Sequence, residues 1–233
     1  MMNERLKDLN EQNRSRHFMW NERINIYNSK ELPKNINIDN VLSSINDRLP
    51  SFFLSNIESI YIGNLDILAD RDMDALYENG TIYIKPNDVV NEEDLVDDIV
   101  HEVSHSLEEL HSLDIYGDGK VQGEFINKRI KLYDLIKLDD VWVPPIEAFM
   151  ETEYSKDLDA YFYKIVGYPL LTSLTMNLFS SPYGVTSLRE YFANGFEKYF
   201  MGEQEEVKKI SPKVYEKIIH LVGKGEETEN GNF

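Results

Sequence analysis

The amino-acid sequence predicts an α+β fold with a small sheet in the N-terminal half and a helical C-terminal half. Two runs rich in β-branched and aromatic residues, IESIYIGN at 57–64 and TIYIKP at 81–86, end at turn-forming residues and are typical of short strands. Beyond residue 91, apolar side chains recur every three or four positions, which is the periodicity of helices packed on a core. A chain of 233 residues, 42% of them hydrophobic, is long enough to bury such a core.

The N-terminal half is predicted to contain an arm, one helix and the strands. Residues 1–38 are polar and rich in Asn, and they are expected to form an N-terminal arm that is partly helical. A short amphipathic helix is predicted from about Asp39 and ends near Pro50, which cannot continue it. The Asn-Gly pair at 79–80 predicts the turn that precedes the second strand.

The C-terminal half is predicted to be a series of helices. Asn91 caps the first of these, and the three acidic residues after it suit the positive end of the helix dipole. Further helices are predicted at 125–136, 146–165, 168–179 and 188–201, and from 212 onward. No repeat or Gly/Ser linker interrupts them, so one domain is predicted over 39–222, followed by a disordered acidic tail at 223–233.

Composition excludes several classes of function. A formal net charge of −18 argues against a nucleic-acid partner, whose phosphates require clustered Lys and Arg, and against an anionic membrane surface. The chain has no Cys, so any metal ion would be held by His and carboxylate side chains. The N-terminus lacks the apolar core of a signal peptide, and no apolar stretch reaches the roughly eighteen residues of a transmembrane helix. A cytoplasmic or virion-associated location is therefore expected.

The segment HEVSH at 101–105 carries the most specific chemical signal. His105 follows His101 by four positions, so on a helix the two imidazoles lie about 40° apart and can reach one ion. Glu102 lies one position further round the helix, where its carboxylate can contact a water molecule beside the ion. The opposite face of the helix is apolar and comprises Leu95, Val96, Ile99, Val103, Leu107 and Leu110. This arrangement predicts a metal site with His101 and His105 as ligands.

A catalytic zinc ion usually takes three protein ligands, and three residues are candidates for the third. His111 stands ten positions after His101, which is the metzincin spacing, but Glu108 replaces the glycine that bends the helix in that pattern. Glu124 follows His105 by nineteen positions, a spacing similar to that of thermolysin-like enzymes, although the surrounding GEFINKR differs from theirs.

Glu190 is the remaining candidate, with Glu197 as a weaker alternative on the same helix face. It lies in SLREYFANGFEKYF, where aromatic residues would bury one side of a helix and a carboxylate beside them requires a partner. The same residue fits a capping box with Ser187, in which it only binds the start of the helix. The residue types alone leave the choice of third ligand open.

The order of these motifs resembles that of the anthrax lethal factor-like and Pro-Pro endopeptidase-like zinc metallopeptidases, which are zincins. The matching pieces are HEVSH at 101–105, a Ser-Pro-Tyr turn ending at Tyr183, and Glu190 at the start of EYFANGF; the strand TIYIKP also fits. The resemblance covers residues 50–200 in the order of elements, and these short motifs in sequence. It implies a zincin-like fold in which His101, His105 and Glu190 bind Zn²⁺.

The resemblance also implies roles for two catalytic residues. Glu102 would be the general base, and Tyr183 would help to stabilise the oxyanion. One position departs from the pattern: Asn194 stands four residues after Glu190, where the family often has a second acid. An amide there can still accept a hydrogen bond from a ligand histidine, but it carries no charge.

These features predict a zinc-dependent endopeptidase acting on a protein or peptide substrate. Glu102 would take a proton from the attacking water and pass it to the leaving amine, and Tyr183 would donate a hydrogen bond to the developing oxyanion. The strand at 81–85 is expected at the sheet edge, where an extended peptide could add to it. The alternatives are a structural or catalytically idle zincin-fold component of a phage particle or other assembly, and the catalytic domain of a toxin.

Overall fold

The structure, a computed structural model, describes residues 15–19, 23–28, 35–63, 67–68, 74–85, 91–139 and 142–230. It divides the chain into two compact units, the first formed by residues 1–110 and 228–233 and the second by residues 111–227. The boundary lies inside a helix, and no linker-like change of composition marks it. For this reason the sequence indicated a single domain over 39–222 instead of two units. The predicted α+β class is confirmed, with strands in the N-terminal half and helices in the C-terminal half.

The first unit is built on a five-stranded mixed sheet. Its strands are β1 (Ser15–Met19), β2 (Ile24–Asn28), β3 (Ser59–Ile62), β4 (Ala75–Glu78) and β5 (Thr81–Ile84). Their order in space is β1-β2-β3-β5-β4. The pairs β1/β2 and β5/β4 are antiparallel, whereas β2/β3 and β3/β5 are parallel.

The two faces of the sheet carry different rows of side chains. Ile26, Ile60 and Ile82 stand in register across β2, β3 and β5, and all three are fully buried. The next residue of each strand is a tyrosine, so these three rings form a second row on the opposite face. Tyr61 stacks between the other two, with ring centroids 4.6 Å from Tyr27 and 5.8 Å from Tyr83. Burial of the isoleucine row and stacking of the tyrosine row fix the strand register.

The prediction of a partly helical N-terminal arm over 1–38 is wrong where the structure describes it. Residues 15–19 and 24–28 are strands of the sheet, and residues 1–14 lie outside the described residues. The sequence INIYN of β2 alternates apolar and polar residues with the period of a half-buried strand, and the Asn-rich composition concealed this pattern.

The sheet edge also differs from the prediction. The strand at Thr81–Ile84 is confirmed, but it lies between β3 and β4, so β4 is the edge strand on this side among the described strands. The predicted turn between them is present. Asn79 and Gly80 both have positive φ, at 50° and 78°, as a two-residue hairpin requires.

Two helices complete the first unit. Helix α1 (Ile38–Arg48) is capped by Asn37, whose side chain accepts the N–H of Asp39 at 2.9 Å. It ends just before Pro50, as predicted. A 3₁₀ turn (Ser51–Leu54) leads from it to β3. Helix α2 (Glu92–Tyr116) carries the HEVSH segment and continues past the unit boundary, with non-helical torsions at His111.

The second unit is helical. It contains α3 (Lys120–Leu138), α4 (Ile146–Met150), α5 (Lys156–Tyr161), a π-helical segment (Phe162–Gly167), α6 (Tyr168–Thr175), a 3₁₀ turn (Tyr183–Val185), α7 (Leu188–Phe200), α8 (Gln204–Ile210) and, except for its last three residues, α9 (Pro212–Asn230). The helix predicted over 146–165 is broken at residues 151–155, where Ser155 caps a new helix.

The disordered tail predicted at 223–233 is wrong for most of its length. Helix α9 continues to Asn230, and within this segment Lys224 binds the carboxylate of Asp114 at 2.6 Å. Residues 231–233 lie outside the described residues. Among the helices that the structure describes, none is long and apolar enough to cross a membrane.

Candidate metal centre

The HEVSH segment lies in a helix whose start is defined by its sequence. The Asn91 side chain accepts hydrogen bonds from the N–H groups of Glu93 and Asp94, at 2.8 and 3.1 Å, which confirms the predicted cap. Leu110 is 53% exposed, whereas the other residues of the predicted apolar face are buried: Leu95, Val96, Ile99, Val103 and Leu107. Burial of this face places His101 and His105 on the opposite side of α2 from its apolar residues.

His101, Glu102 and His105 form a group that could hold a metal ion. The three residues each offer one ligand atom, and these atoms all lie within 4.8 Å of one another. The two imidazole centroids are 5.1 Å apart and the rings are inclined by 76°, so they meet edge to face instead of stacking. Glu102 is 6% exposed and His105 is 9% exposed, so solvent weakens the electrostatics of this group only slightly.

The Glu102 carboxylate lies at the edge of the sheet. Its Oε2 accepts a hydrogen bond from the backbone N–H of Tyr77 at 2.6 Å. In the β4–β5 hairpin, Glu78 and Thr81 flank the two-residue turn as a hydrogen-bonded pair, so the pair of Tyr77 and Ile82 is not hydrogen-bonded. The N–H of Tyr77 therefore points away from β5, toward the outer edge of the described sheet, where Glu102 accepts it.

A second contact fastens the same strand residue to α2. The Tyr77 hydroxyl donates to Glu109 Oε2 at 2.6 Å and accepts hydrogen bonds from the Asn56 side chain at 2.7 Å and the Gly80 N–H at 3.1 Å. Burial, together with the hydrogen bond to Glu109, raises the pKa of Tyr77 to about 12, so the hydroxyl stays protonated as a donor at neutral pH. Tyr77 thus holds the edge strand against α2 through Glu102 and Glu109, which are seven positions apart on the helix.

The His105 imidazole also has a carboxylate partner. Its Nδ1 lies 3.0 Å from Glu108 Oε2, one helical turn further along α2. Glu108 is 6% exposed, so this carboxylate is buried together with the ring.

His111 is engaged differently. The backbone at this residue is not helical, with φ of −121° and ψ of 21°. Its Nδ1 lies 3.3 Å from Asp114 Oδ2, and the other oxygen of Asp114 binds Lys224. The Lys224 hydrogen bond lowers the pKa of Asp114, which therefore remains a carboxylate partner for the ring.

The second unit carries Tyr183 and Glu190 on adjoining segments. Ser187 Oγ accepts the N–H of Glu190 at 3.1 Å and caps α7, which confirms the serine half of the predicted capping box. Tyr183 stands at the start of the 3₁₀ turn and is 46% exposed, so it is not a core tyrosine. The assignment of Tyr183 to catalysis and of Glu190 to the metal stays a prediction.

Asn194 joins these two segments. Its side-chain oxygen accepts a hydrogen bond from Ser181 Oγ, and its side-chain nitrogen donates to the Glu190 carbonyl at 2.8 Å. Ser181 Oγ in turn accepts the N–H of Gly184 at 3.2 Å. The residue that departs from the family pattern therefore ties the turn bearing Tyr183 to the helix bearing Glu190.

Glu124, the alternative third ligand, has a structural role in the second unit. Its carboxylate accepts the Tyr191 hydroxyl at 2.8 Å and the N–H of Lys213 at 3.2 Å, in the first turn of α9. An acid at this position satisfies free N–H groups and suits the positive end of the helix dipole. Burial, with the Glu124 charge beside it, raises the pKa of Tyr191.

In comparisons with known proteins, no family model, no curated protein and no solved structure matches this chain.

Two contacts of the candidate centre escaped the sequence analysis. The contact between Glu108 and His105 was not predicted, although an acid three positions after a histidine faces it on a helix. That spacing was the available signal for the contact with His105. The bond between Tyr77 and Glu102 carried no local signal, because it joins a strand to a helix 25 positions away.

Proposed function

We propose that this protein is a zinc-dependent endopeptidase. The observation that carries the proposal is the group of His101, Glu102 and His105, whose potential ligand atoms lie within 4.8 Å of one another on one helix. Its glutamate reaches β4, the edge strand among the described strands of the sheet. A metal-ligating pair, an acid–base residue and a strand edge are the parts that hydrolysis of an extended peptide requires.

The donor set favours zinc among the common divalent ions. Imidazole nitrogens are typical zinc ligands, whereas Mg²⁺ and Ca²⁺ prefer sites made of oxygen atoms. His101 and His105 would supply two ligands, and Glu190 would supply the third according to the resemblance to lethal factor-like metallopeptidases. When bound, zinc supplies Lewis acidity, which polarises a peptide carbonyl and makes a water molecule a stronger acid.

Glu102 would be the acid–base residue of the reaction. Its Oε2 is oriented by the Tyr77 N–H, and its other oxygen would accept a proton from the attacking water. The water oxygen forms a bond to the carbonyl carbon, the C–N bond breaks, and Glu102 delivers the proton to the leaving nitrogen. Tyr183 would donate a hydrogen bond to the oxygen on which negative charge develops.

Strand β4 offers a place for the substrate. Its outward-facing backbone groups other than the Tyr77 N–H, which donates to Glu102, could pair with an extended peptide, which would add to the sheet as a further strand. A peptide lying along β4 would pass the Glu102 carboxylate at Tyr77, because these two groups are already in hydrogen-bond contact. This replaces the strand at 81–85, which was expected at the edge, as the proposed docking strand.

The Glu102→Gln variant tests the proposal. The amide keeps the shape of the side chain and an acceptor for the Tyr77 N–H, but it cannot take a proton from water. We expect the zinc-loaded wild type to cleave members of a broad peptide library, and Glu102→Gln to bind the same amount of zinc without cleaving. Cleavage is read by mass spectrometry of the products.

Glu109→Gln is the matched control. It lies on the same helix and contacts the same strand residue, so it reports on disturbance of the strand without removing the acid–base group. Equal loss of cleavage in both variants would assign the effect to the strand. If the zinc-loaded wild type cleaved nothing, a structural or idle zincin-fold component would become the better description.

A further inference from the structure

We propose that Glu108 is a positioning residue that fixes the tautomer of His105 and presents its Nε2 atom to the metal ion. This role rests on the proposed function, because the tautomer of His105 affects metal binding only if His105 is a ligand. The sequence pattern did not suggest this role for Glu108.

The geometry defines which nitrogen carries the proton. Glu108 Oε2 lies 3.0 Å from His105 Nδ1, and a carboxylate can only accept a hydrogen bond, so Nδ1 must be the donor. A neutral imidazole has one N–H, which leaves the lone pair on Nε2. Nε2 is therefore the atom available to a metal ion.

Burial gives this contact its strength. The His105 and Glu108 side chains are 11% and 6% exposed, so bulk water has little access to replace either partner. A buried carboxylate that lost its hydrogen bond would be costly, and the pair is held in one arrangement for that reason. A carboxylate behind a ligating imidazole also increases the basicity of the ring toward the metal.

The chain contains a second His–acid pair at the same spacing. His111 Nδ1 lies 3.3 Å from Asp114 Oδ2, but these side chains are 19% and 27% exposed and Asp114 also binds Lys224. The charge of Asp114 is thus shared with a lysine in that pair. Asp114→Asn is accordingly a matched control: it alters the same kind of contact away from the proposed ligands.

The first measurement is made on the metal-free protein. Side-chain ¹⁵N spectra at a pH where the ring is neutral identify the protonated nitrogen of His105. We expect the Nδ1–H tautomer in the wild type and a shift of the population toward Nε2–H in Glu108→Ala, with Asp114→Asn unchanged at His105. An Nε2–H tautomer in the wild type, or an unchanged population in Glu108→Ala, would overturn the proposal.

The second measurement is zinc affinity by competition with a chromophoric chelator. Loss of such a carboxylate partner typically weakens metal binding by about 10- to 100-fold, so we expect that loss in Glu108→Ala. Glu108→Gln keeps an acceptor for the Nδ1–H without the charge, and it should show a smaller loss. Glu108→Gln is also the conservative variant if Glu108→Ala does not fold.

The two proposals fail in different ways. A wild type that binds no zinc contradicts the proposed function, whereas the tautomer of its His105 still tests the role of Glu108. Wild-type affinity in both Glu108 variants contradicts the positioning role and leaves the metal site standing. A complete loss of zinc in Glu108→Gln, as severe as in His105→Ala, would also contradict it, because Glu108 would then be a ligand itself.

Discussion

Individual side chains in the candidate centre are oriented by hydrogen bonds that the motif alone does not encode. Glu102 Oε2 is held by a strand N–H, and His105 Nδ1 by a buried carboxylate. Preorganisation of this kind lowers the cost of ordering the side chains when an ion or a substrate binds. The motif predicted which residues form the group, and the folded chain supplies their orientation.

Tyr183 allows a sharp test at this scale, because Tyr183→Phe removes only the hydroxyl. The side chain is 46% exposed, so loss of the hydroxyl should leave the free energy of unfolding nearly unchanged. An oxyanion donor predicts a fall in kcat of about 10²- to 10³-fold with unchanged zinc content. Steady-state kinetics on a cleaved peptide give the result. Full activity in this variant would remove Tyr183 from the mechanism.

The buried position of Lys128 predicts that the free energy of unfolding depends on pH. Its ammonium donates to the carbonyls of Leu178 and Ile210, at 2.8 and 2.5 Å, and lies 5.0 Å from the centre of the Tyr191 ring. Burial lowers the pKa of Lys128 from 10.5 to about 8, an effect only partly offset by the nearby charge of Glu124. Between these two pKa values the unfolded chain binds more protons than the folded protein, so stability increases with pH across this window.

We therefore expect the free energy of unfolding to rise from pH 8 toward pH 10, and this rise to be absent in Lys128→Met. Urea titrations at several pH values measure it. Lys156→Met, at an exposed position, controls for the loss of a positive charge. An equal slope in wild type and Lys128→Met would show that another group causes the dependence.

At the scale of elements, the helix ends were the most predictable features. Asn91 and Ser187 cap their helices through local hydrogen bonds, which depend on residues only two or three positions away. The Asn-rich composition concealed the local strand pattern of β2, and its pairing with β1 and β3 is not encoded in its own five residues. The edge position of β4 was missed for the same reason.

The packing of α7 on α9 depends on a glycine. A Cβ atom added to Gly195 would lie 2.6 Å from Val214 Cγ1, which belongs to a fully buried side chain. Overpacking typically costs about 1–3 kcal/mol, and the better helix propensity of alanine returns up to about 1 kcal/mol. We expect Gly195→Ala to lower the free energy of unfolding by about 1–2 kcal/mol.

Gly223→Ala is the matched control for this prediction. Gly223 also lies in a helix, but a Cβ atom added there would meet no atom of the described residues within 4 Å. Alanine should therefore raise the free energy of unfolding by up to about 1 kcal/mol. Both variants are compared by urea unfolding. Equal stability of the two would contradict the close approach of α7 and α9.

At the scale of the whole molecule, the sequence predicted the fold class and the grouping of His101, Glu102 and His105 better than the division into two units. Helix and strand periodicities are local, so the sequence could predict them. The boundary between the two units lies within α2 at His111, where no local pattern marks it. That boundary depends on packing between side chains that are far apart in the sequence. The assignment of Glu190 to a different unit from His101 and His105 likewise has no signal in local sequence patterns.

The central claim is tested most directly by counting zinc ions per chain. Purified wild type and the variants His101→Ala, His105→Ala, Glu190→Ala and His111→Ala are equilibrated with zinc, freed of excess metal and measured by elemental mass spectrometry. We predict one zinc per chain in the wild type and in His111→Ala, and loss of zinc in the other three. Zinc retained in Glu190→Ala and lost in His111→Ala would instead make His111 the third ligand, and a wild type without zinc would contradict the metal centre itself.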